Sequence, residues 1–225
     1  MVNGEIRNMI DEIIKIIADM ALKNGFSEYQ VFTDWIQCTA NSIQNASCLL
    51  HDKAWNKREK EYLDIFNKYK DNTKFSVLTG LLACELEDNI SDVLGHVYMA
   101  SGMGSKAAGQ FFTPFHLSYL TASVGLDDRL MNDEIITLNE PSIGGGGMVI
   151  GLCKALKERG VNYQKKLRVI GQDLDWKGVY MSYVQLSLLG VDAVIVQGDS
   201  LATPYNGAYP KERTYRTPRN LGVLL

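Results

Sequence analysis

The stretch that decides the fold is residues 135–147, which read IITLNEPSIGGGG. Its first four residues are apolar or β-branched, which is typical of a short buried strand, and the glycines that follow permit a sharp turn. Residues 148–159 then carry the apolar spacing of a helix. A strand that runs through a glycine turn into a helix is the opening unit of a parallel α/β sheet.

The same pattern recurs twice downstream. Residues 167–173, LRVIGQD, and residues 193–200, AVIVQGDS, each begin with an apolar run and end in glycine and polar residues. Residues 176–189 lie between them and suit a crossover helix. Because strands that alternate with helices form parallel sheets with right-handed crossovers, the sequence predicts three parallel strands.

The first hundred residues predict helices instead. Apolar residues recur at steps of three and four over residues 9–21, and this pattern ends near Asn24-Gly25. Ser27 is a predicted N-cap for a second helix, and residues 55–69 and 75–87 suit two more. We therefore expect an α/β protein with a helical N-terminal domain at 1–105 and a sheet domain at 106–225.

Composition excludes several classes of protein. The chain has 225 residues and is 46% hydrophobic, and a chain of this size buries roughly 70% of its unfolded surface without a metal or a disulfide. No run approaches the roughly 18 apolar residues that span a bilayer, and no leader pattern is present, which predicts a cytoplasmic protein without a membrane partner. The formal net charge of −3 argues against a protein that binds DNA without a partner, because affinity for DNA depends on the neutralisation of phosphates by Lys and Arg. Contact with DNA is expected to be weak, local or shared.

Four cysteines are present, and they predict buried reduced thiols. They show no C-x-x-C pair and no histidine at the spacing of metal ligands, so no metal site is expected. The residues concerned are Cys38, Cys48, Cys84 and Cys153.

The predicted strand ends suggest a nucleoside pocket. Ligands of parallel sheets bind beyond the carboxyl ends of the strands, where Asp173 is placed to accept from ribose hydroxyls and Asp199 from an exocyclic amine. Solvated strand-end acids or helix caps are the alternative. The glycine run lacks G-x-G-x-x-G and is also compatible with a flexible loop. No Lys-Ser or Lys-Thr follows it, which excludes a P-loop.

Five segments together resemble the adenine-N6 DNA methyltransferases, most closely the methylation subunit of type I restriction-modification systems. In chain order they are DVLGHVY at 92–98, GQFFTP at 109–114, EPSIGGGGM at 140–148, GQD at 171–173 and GDSL at 198–201. The resemblance extends from about residue 90 to residue 201, and the helical N-terminal domain also looks like that subunit's. It implies a partial Rossmann-like methyltransferase sheet and S-adenosylmethionine as the cofactor.

The resemblance also implies cofactor-binding residues. Beside the methionine end would lie Phe112, Thr113 and Pro114. The turn under the cofactor would be formed by Glu140, Pro141, Ser142, Gly144 and Gly146. The ribose and the adenine would be held by Asp173, Asp199 and Ser200. Glu140 and Gly145 depart from the family's usual Asp and Ser. As alternatives, Thr113 is a helix N-cap with Pro114 in the first turn, and Phe111 and Phe112 belong to the core or to the pocket wall.

The catalytic motif of the resembled family is missing from the sequence. That family transfers the methyl group at an Asn or Asp followed by two prolines and an aromatic residue. None of the five prolines here is adjacent to another: Pro114, Pro141, Pro204, Pro210 and Pro218. The sequence thus predicts a cofactor-binding DNA methyltransferase-like protein that has no catalytic residues of its own and is inactive alone.

Three explanations of this incompleteness stay open. The chain is half of a split enzyme whose partner supplies the catalytic half, or a truncation of a longer gene. Alternatively, it is a non-enzymatic protein that mimics a methylation subunit and interferes with a restriction or other defence complex.

The first strand of a partial sheet would expose an unpaired edge. Residues 221–225, LGVLL, are predicted to add as a fourth strand and cover it, with a homodimer or a partner chain as the alternatives. The preceding basic stretch contains Lys211, Arg213, Arg216 and Arg219. It predicts a solvated loop, with phosphate contact as the alternative.

Overall fold

A computed structural model describes residues 9–103, 112–127 and 134–223. The N-terminal part of these residues is helical, as the sequence predicts. Its helices are α1 (Met9–Asn24), α2 (Glu28–Ala46), α3 (Lys53–Phe66), α4 (Lys74–Asp88) and α5 (Val93–Ala100). Ser27 is the N-cap of α2, where its hydroxyl accepts the N–H of Gln30 at 3.1 Å.

The remaining described residues form an α/β unit. Its elements are α6 (Phe115–Gly125), β1 (Ile136–Glu140), α7 (Gly147–Glu158), α8 (Tyr163–Lys166), β2 (Leu167–Asp173), α9 (Trp176–Leu188), β3 (Asp192–Gln197) and β4 (Thr214–Arg216). The described strands stand in the order β1-β2-β3-β4. The first three are parallel, as predicted, and β4 is antiparallel to β3.

The two faces of this sheet differ in burial. Leu138, Val169 and Ala193 share one face by register, and the latter two are almost fully buried. On the other face Thr137 and Arg168 are exposed. The parallel register also brings the carboxyl ends of β1, β2 and β3 to one edge, which positions the site described below.

The helical part and the sheet share a core. Helix α2 packs on α9, and Trp35, Tyr183 and Tyr215 are buried in one apolar cluster. Polar contacts also cross this junction, because the Tyr215 hydroxyl donates to Asn41 Oδ1 at 2.6 Å. The predicted domain boundary after residue 105 lies outside the described residues.

The predicted fourth strand is wrong. Leu221 and the two residues after it form a turn, in which the Leu221 N–H donates to the Thr217 carbonyl, and Leu224 and Leu225 lie outside the described residues. The added strand is β4, which pairs with β3 at the opposite side of the sheet from β1. Tyr215 of β4 is 1% exposed, whereas Leu221 is 36% exposed. The edge of β1 that residues 221–225 were predicted to cover is thus not paired with any strand among the described residues.

Two smaller predictions are also corrected. All four cysteines are free thiols, but only Cys38 and Cys153 are buried, while Cys84 is exposed on the solvent side of α4 and Cys48 is half-buried. Helix α6 begins at Phe115 with Pro114 as its N-cap and has no side-chain cap, so Thr113 is not the cap.

Within the described ranges, no helix is long and apolar enough to cross a membrane. The same residues contain no cluster of histidine, cysteine and acidic side chains that could hold a metal ion.

Candidate functional site

A cavity of about 280 Å³ opens at the carboxyl end of β2, and we refer to it as the candidate site. Five of the sequence-predicted residues line it: Phe112, Thr113, Ser142, Gly144 and Asp173. Residues that sequence reasoning had not assigned a role also line it, among them Asp92, Ser118, Gly147 and Lys177. The site therefore joins α5, α6, the glycine turn and the start of α9.

The other predicted residues are not among those that line this cavity. Pro114 lines a neighbouring cavity. The Glu140 carboxylate accepts the N–H of Ser142 at 3.3 Å, beside Pro141 and outside the cavity. Gly146 lies one residue away from lining residues on both sides.

Asp199 is exposed and acts as a turn cap in this structure. Its Oδ1 accepts the N–H groups of Leu201 and Ala202 at 2.9 and 3.0 Å. Asp199 and Ser200 do follow β3 directly, and the Gly198 N–H donates to the Asp173 carbonyl at 2.8 Å. The structure thus links the two strand ends without bringing Asp199 into the candidate site.

The glycine turn is fixed by the carboxylate at the end of β2. Asp173 Oδ2 accepts the N–H of Gly144 at 2.7 Å, and its Oδ1 accepts the N–H of Asp175 at 2.9 Å. Gly144 and Gly146 have φ values of +51° and +91°, a backbone region that residues with a Cβ rarely adopt. A Cβ on Gly146 would also lie 3.3 Å from Ser182 of α9. Glycine is required here for both the turn and the close approach of α9.

Phe112 combines the two roles that the sequence left open. Its ring packs edge-on against Tyr98 with 5.3 Å between centroids, and the residue also lines the candidate site. A Cβ on Gly144 would lie 3.2 Å from Phe112 Cε1. The ring is therefore both a core contact and a wall of the cavity.

Asp92 brings the segment at 92–98 into the candidate site. It is 5% exposed, and its Oδ1 accepts from the Gly95 N–H and from Gln185 Nε2, both at 2.9 Å. The same Gln185 amide donates to the Gly145 carbonyl at 2.8 Å. Burial raises the pKa of Asp92, and the hydrogen bonds from Gln185 and Gly95 oppose that rise.

Lys177 adds a buried cation to the wall. Its Nζ donates to the Tyr98 hydroxyl at 2.9 Å and lies 3.6 Å from Asp175 Oδ2. Burial lowers the pKa of Lys177, but the hydrogen bond to Tyr98 and the electrostatic interactions with Tyr98, Tyr29 and Asp175 outweigh it, so the pKa lies above its ordinary value. Nothing in the sequence near Lys177 indicates this role, since Tyr98 lies 79 positions away.

The family model described as N-6 DNA methylase matches residues 89–214, which is more than half of the chain and includes most of the candidate site. No curated protein matches the chain.

Two of the solved structures that match the chain are methyltransferases, and the first of them is similar in fold. One is a putative class I S-adenosylmethionine-dependent methyltransferase from Listeria monocytogenes, with a TM-score of 0.52 and 14% identity over 87% of this chain and 55% of that one. The other is the methyltransferase subunit of a type I restriction-modification system from Streptococcus thermophilus, with a TM-score of 0.44 and 15% identity over 89% and 41%. This chain thus spans about half the length of the structures that it matches. Because the family match covers Asp92, the glycine turn, Asp173 and Asp199, the chain belongs to the N-6 DNA methylase family.

Proposed function

We propose that the protein binds S-adenosylmethionine in the candidate site. The observation that carries the proposal is the position of Asp173, whose carboxylate lies at the carboxyl end of β2 and is held by two backbone N–H groups. A carboxylate has about four lone-pair positions, so two remain for the paired hydroxyls of a ribose. The bound cofactor would supply a methyl group on a sulfonium, and the residues discussed below only bind and orient it.

The residues of the candidate site fit such a ligand. Thr113 and Phe112 line the end near α5 and α6, where the methionine part would lie, and Ser142 and Gly144 lie under it. Ser118 is fully buried, and its hydroxyl has no hydrogen-bond partner in the described part of the chain. A buried hydroxyl without a partner is costly, which supports a polar ligand at this point.

The adenine end is proposed to extend beyond the candidate site toward β3, since Asp199 and Ser200 do not line that cavity. Asp199 and Ser200 would face the base there, with Asp199 accepting from the exocyclic amine. Pro114, Glu140, Pro141 and Gly146 would act indirectly, by shaping the turn and the start of α6.

We further propose that the protein is a DNA adenine methyltransferase-like protein that does not transfer methyl groups by itself. The support is the absence of two adjacent prolines anywhere in the sequence. The purified chain, incubated with labelled S-adenosylmethionine and adenine-containing DNA, is expected to leave the DNA unlabelled. Labelled N6-methyladenine would overturn this part of the proposal and leave cofactor binding standing.

A second candidate function is association with a protein partner. It is favoured by the outer edge of β1, which pairs with no other strand among the described residues, and by the exposed Thr137 and Arg168 near that edge. The partner would be a chain that carries the Asn or Asp, Pro, Pro and aromatic motif, a defence complex, or a second copy. Methyl transfer restored by a protein carrying that motif would identify a split enzyme, and light scattering would detect the homodimer.

The cytosol is the proposed compartment, since the cysteines are free thiols.

The direct test of cofactor binding is calorimetric titration with S-adenosylmethionine and S-adenosylhomocysteine. The wild type is expected to bind both. Asp173→Ala is expected to weaken binding about tenfold or more, which corresponds to the loss of charge-assisted hydrogen bonds. Asp64→Ala, at an exposed position on α3, is the matched control and should bind like the wild type. A wild type that binds neither ligand would overturn the proposal.

A further inference from the structure

Two polar atoms of the candidate site have no partner in the described part of the protein. One is Ser118 Oγ, which is buried on α6. The other is Oδ2 of Asp92, because the hydrogen bonds from Gly95 and Gln185 both go to Oδ1. Both residues line the candidate site, where the buried Ser118 hydroxyl is costly to leave without a partner and Asp92 Oδ2 keeps its capacity to accept hydrogen bonds. This pair of atoms indicates a ligand whose polar groups provide their hydrogen-bond partners.

Both atoms flank the first residue of α7. A Cβ placed on Gly147 would lie 3.0 Å from Asp92 Oδ2 and 3.6 Å from Ser118 Oγ. Asp92, Ser118 and Gly147 all line the candidate site, so these two polar atoms and the start of α7 face the same cavity. Gly145 lies at the same end of the cavity, where its Cβ would be 3.8 Å from Asp92 Oδ2.

The start of α7 adds donors beside the Asp92 carboxylate. Its N-cap is Gly146, which has no side chain to accept the first N–H groups of this 12-residue helix. Those amides and the positive end of the helix dipole favour an anion, whereas Asp92 Oδ2 favours a cation. A carboxylate oxygen can accept hydrogen bonds from an ammonium group, and the adjacent backbone N–H groups can donate to a carboxylate. Together they form an arrangement that recognises a zwitterionic α-amino acid group.

We propose that Asp92 and Ser118 recognise the amino acid end of the cofactor. Asp92 Oδ2 accepts hydrogen bonds from its α-ammonium group. The Ser118 hydroxyl and the first amides of α7 donate to its α-carboxylate. This inference rests on the proposed function and assigns a specificity role to two residues that no family motif of the sequence analysis assigned to the cofactor.

Asp92→Asn is the variant that tests the role of Asp92. Asparagine keeps Oδ1, which accepts from Gly95 and Gln185, and replaces only Oδ2 with an amide that repels an ammonium group. The probes are S-adenosylhomocysteine and its desamino analogue, which lacks only the ammonium group. Asp92→Asn is expected to raise the Kd for S-adenosylhomocysteine about tenfold or more and to leave the Kd of the analogue within about twofold of wild type.

A second pair of measurements tests Ser118. Ser118→Ala is expected to weaken the binding of S-adenosylhomocysteine about threefold to tenfold. The binding of 5′-methylthioadenosine, which lacks the whole amino acid end, should not change. Ser101→Ala is the matched control, because Ser101 Oγ is also buried without a partner among the residues that the structure describes but does not line the candidate site. That control should bind both probes like the wild type.

The outcomes separate this inference from the proposed function. If the wild type does not bind S-adenosylhomocysteine, both fail. The role of Asp92 is wrong, and cofactor binding stands, if the wild type binds S-adenosylhomocysteine but Asp92→Asn weakens the binding of this probe and of its desamino analogue equally. The same conclusion follows if the variant weakens the binding of neither. Asp173→Ala should weaken all three probes, since each contains the ribose. A melting curve of each variant without ligand verifies that it is folded.

Discussion

Gln185 on α9 donates a hydrogen bond of 2.9 Å to Oδ1 of Asp92, which lies 93 positions earlier in the chain. The same amide nitrogen donates to the Gly145 carbonyl at 2.8 Å, and Gln185 Oε1 accepts the N–H of Leu94 at 3.0 Å. One fully buried side chain therefore connects the start of α5, the glycine turn and α9. The position of the turn depends on the helical part of the protein as well as on the sheet.

Replacing Gln185 is expected to destabilise the fold. Gln185→Ala leaves the Leu94 N–H, the Gly145 carbonyl and Asp92 Oδ1 short of a buried partner, at a cost of about 2–4 kcal/mol. For a chain of this size the melting temperature should fall by about 5–15 °C. Gln37→Ala, at a partly exposed position of α2, is the control and should change it by less than about 2 °C. A Gln185→Ala protein that melts like the control would contradict this network.

The charge of Asp92 is expected to cost stability when no ligand is bound. Burial raises its pKa above the ordinary 3.8, although its hydrogen bonds and the charge of His96 oppose this. A raised carboxyl pKa means that the native state prefers the neutral form of Asp92. The free energy of unfolding therefore falls as the pH rises from the pKa of Asp92 in the unfolded chain toward its pKa in the folded protein.

Asp92→Asn removes that titration, and this gives a measurable pH dependence. We expect the variant and the wild type to melt at similar temperatures below about pH 4. The variant should melt higher at pH 7, by about 2 °C or more. Differential scanning calorimetry from pH 4 to pH 7 measures the difference. A difference that does not grow with pH would show that the Asp92 charge is compensated within the protein.

Gly151 lets α6 and α7 approach each other. A Cβ at Gly151 would lie 2.8 Å from the Ser118 carbonyl carbon and 2.9 Å from the Tyr119 nitrogen, and these backbone atoms cannot turn aside. Gly151→Ala should therefore destabilise by about 1–3 kcal/mol despite alanine's better helix propensity. Gly80→Ala on α4 meets nothing within 4 Å and should stabilise by about 0.5–1 kcal/mol. Urea denaturation of the two variants gives opposite signs if this packing is correct.

The cysteines are expected to differ in reactivity. Cys84 is exposed, whereas burial raises the pKa of Cys38 to about 12 and raises that of Cys153 as well. Because the thiolate is the reactive form, a thiol reagent at pH 8 should modify Cys84 in the native protein and leave Cys38 and Cys153 unmodified until it unfolds. Mass spectrometry of Cys84→Ser, compared with wild type, assigns the reactive position. Rapid native modification of Cys153 would indicate that the core opens.

Periodicity predicted most of the regular elements, but not α5, α8 and β4. The apolar spacing near Ile13 and Ile17 predicts α1, and the runs that begin near Ile136, Leu167 and Ala193 predict the parallel strands. These signals are local, because each reports which side of one element faces the core. The fourth strand was missed for the same reason: Thr214–Arg216 has no strong pattern of its own and is selected by the edge of β3.

The candidate site was predicted only in part. Asp173 and Gly144 follow from the strand-and-turn pattern, and the structure joins them by a hydrogen bond of 2.7 Å. Ser118 and Lys177 carried no signal, because an unpartnered hydroxyl and a buried ammonium group are properties of the packed surroundings. Asp92 belongs to the family-like segment DVLGHVY at 92–98, but its position beside the glycine turn depends on Gln185.

The sequence by itself determined most of the longer helices, the three parallel strands and the glycine turn, since these depend on side-chain periodicity and on backbone freedom within a few residues. The tertiary structure decided which strand completes the sheet and which polar groups face the candidate site. Those outcomes depend on contacts between residues that are tens of positions apart, such as Asp92 with Gln185 and Tyr98 with Lys177. Such contacts exist only after α5 has packed against α9, because the apolar core must bring the two segments together before their polar atoms can meet.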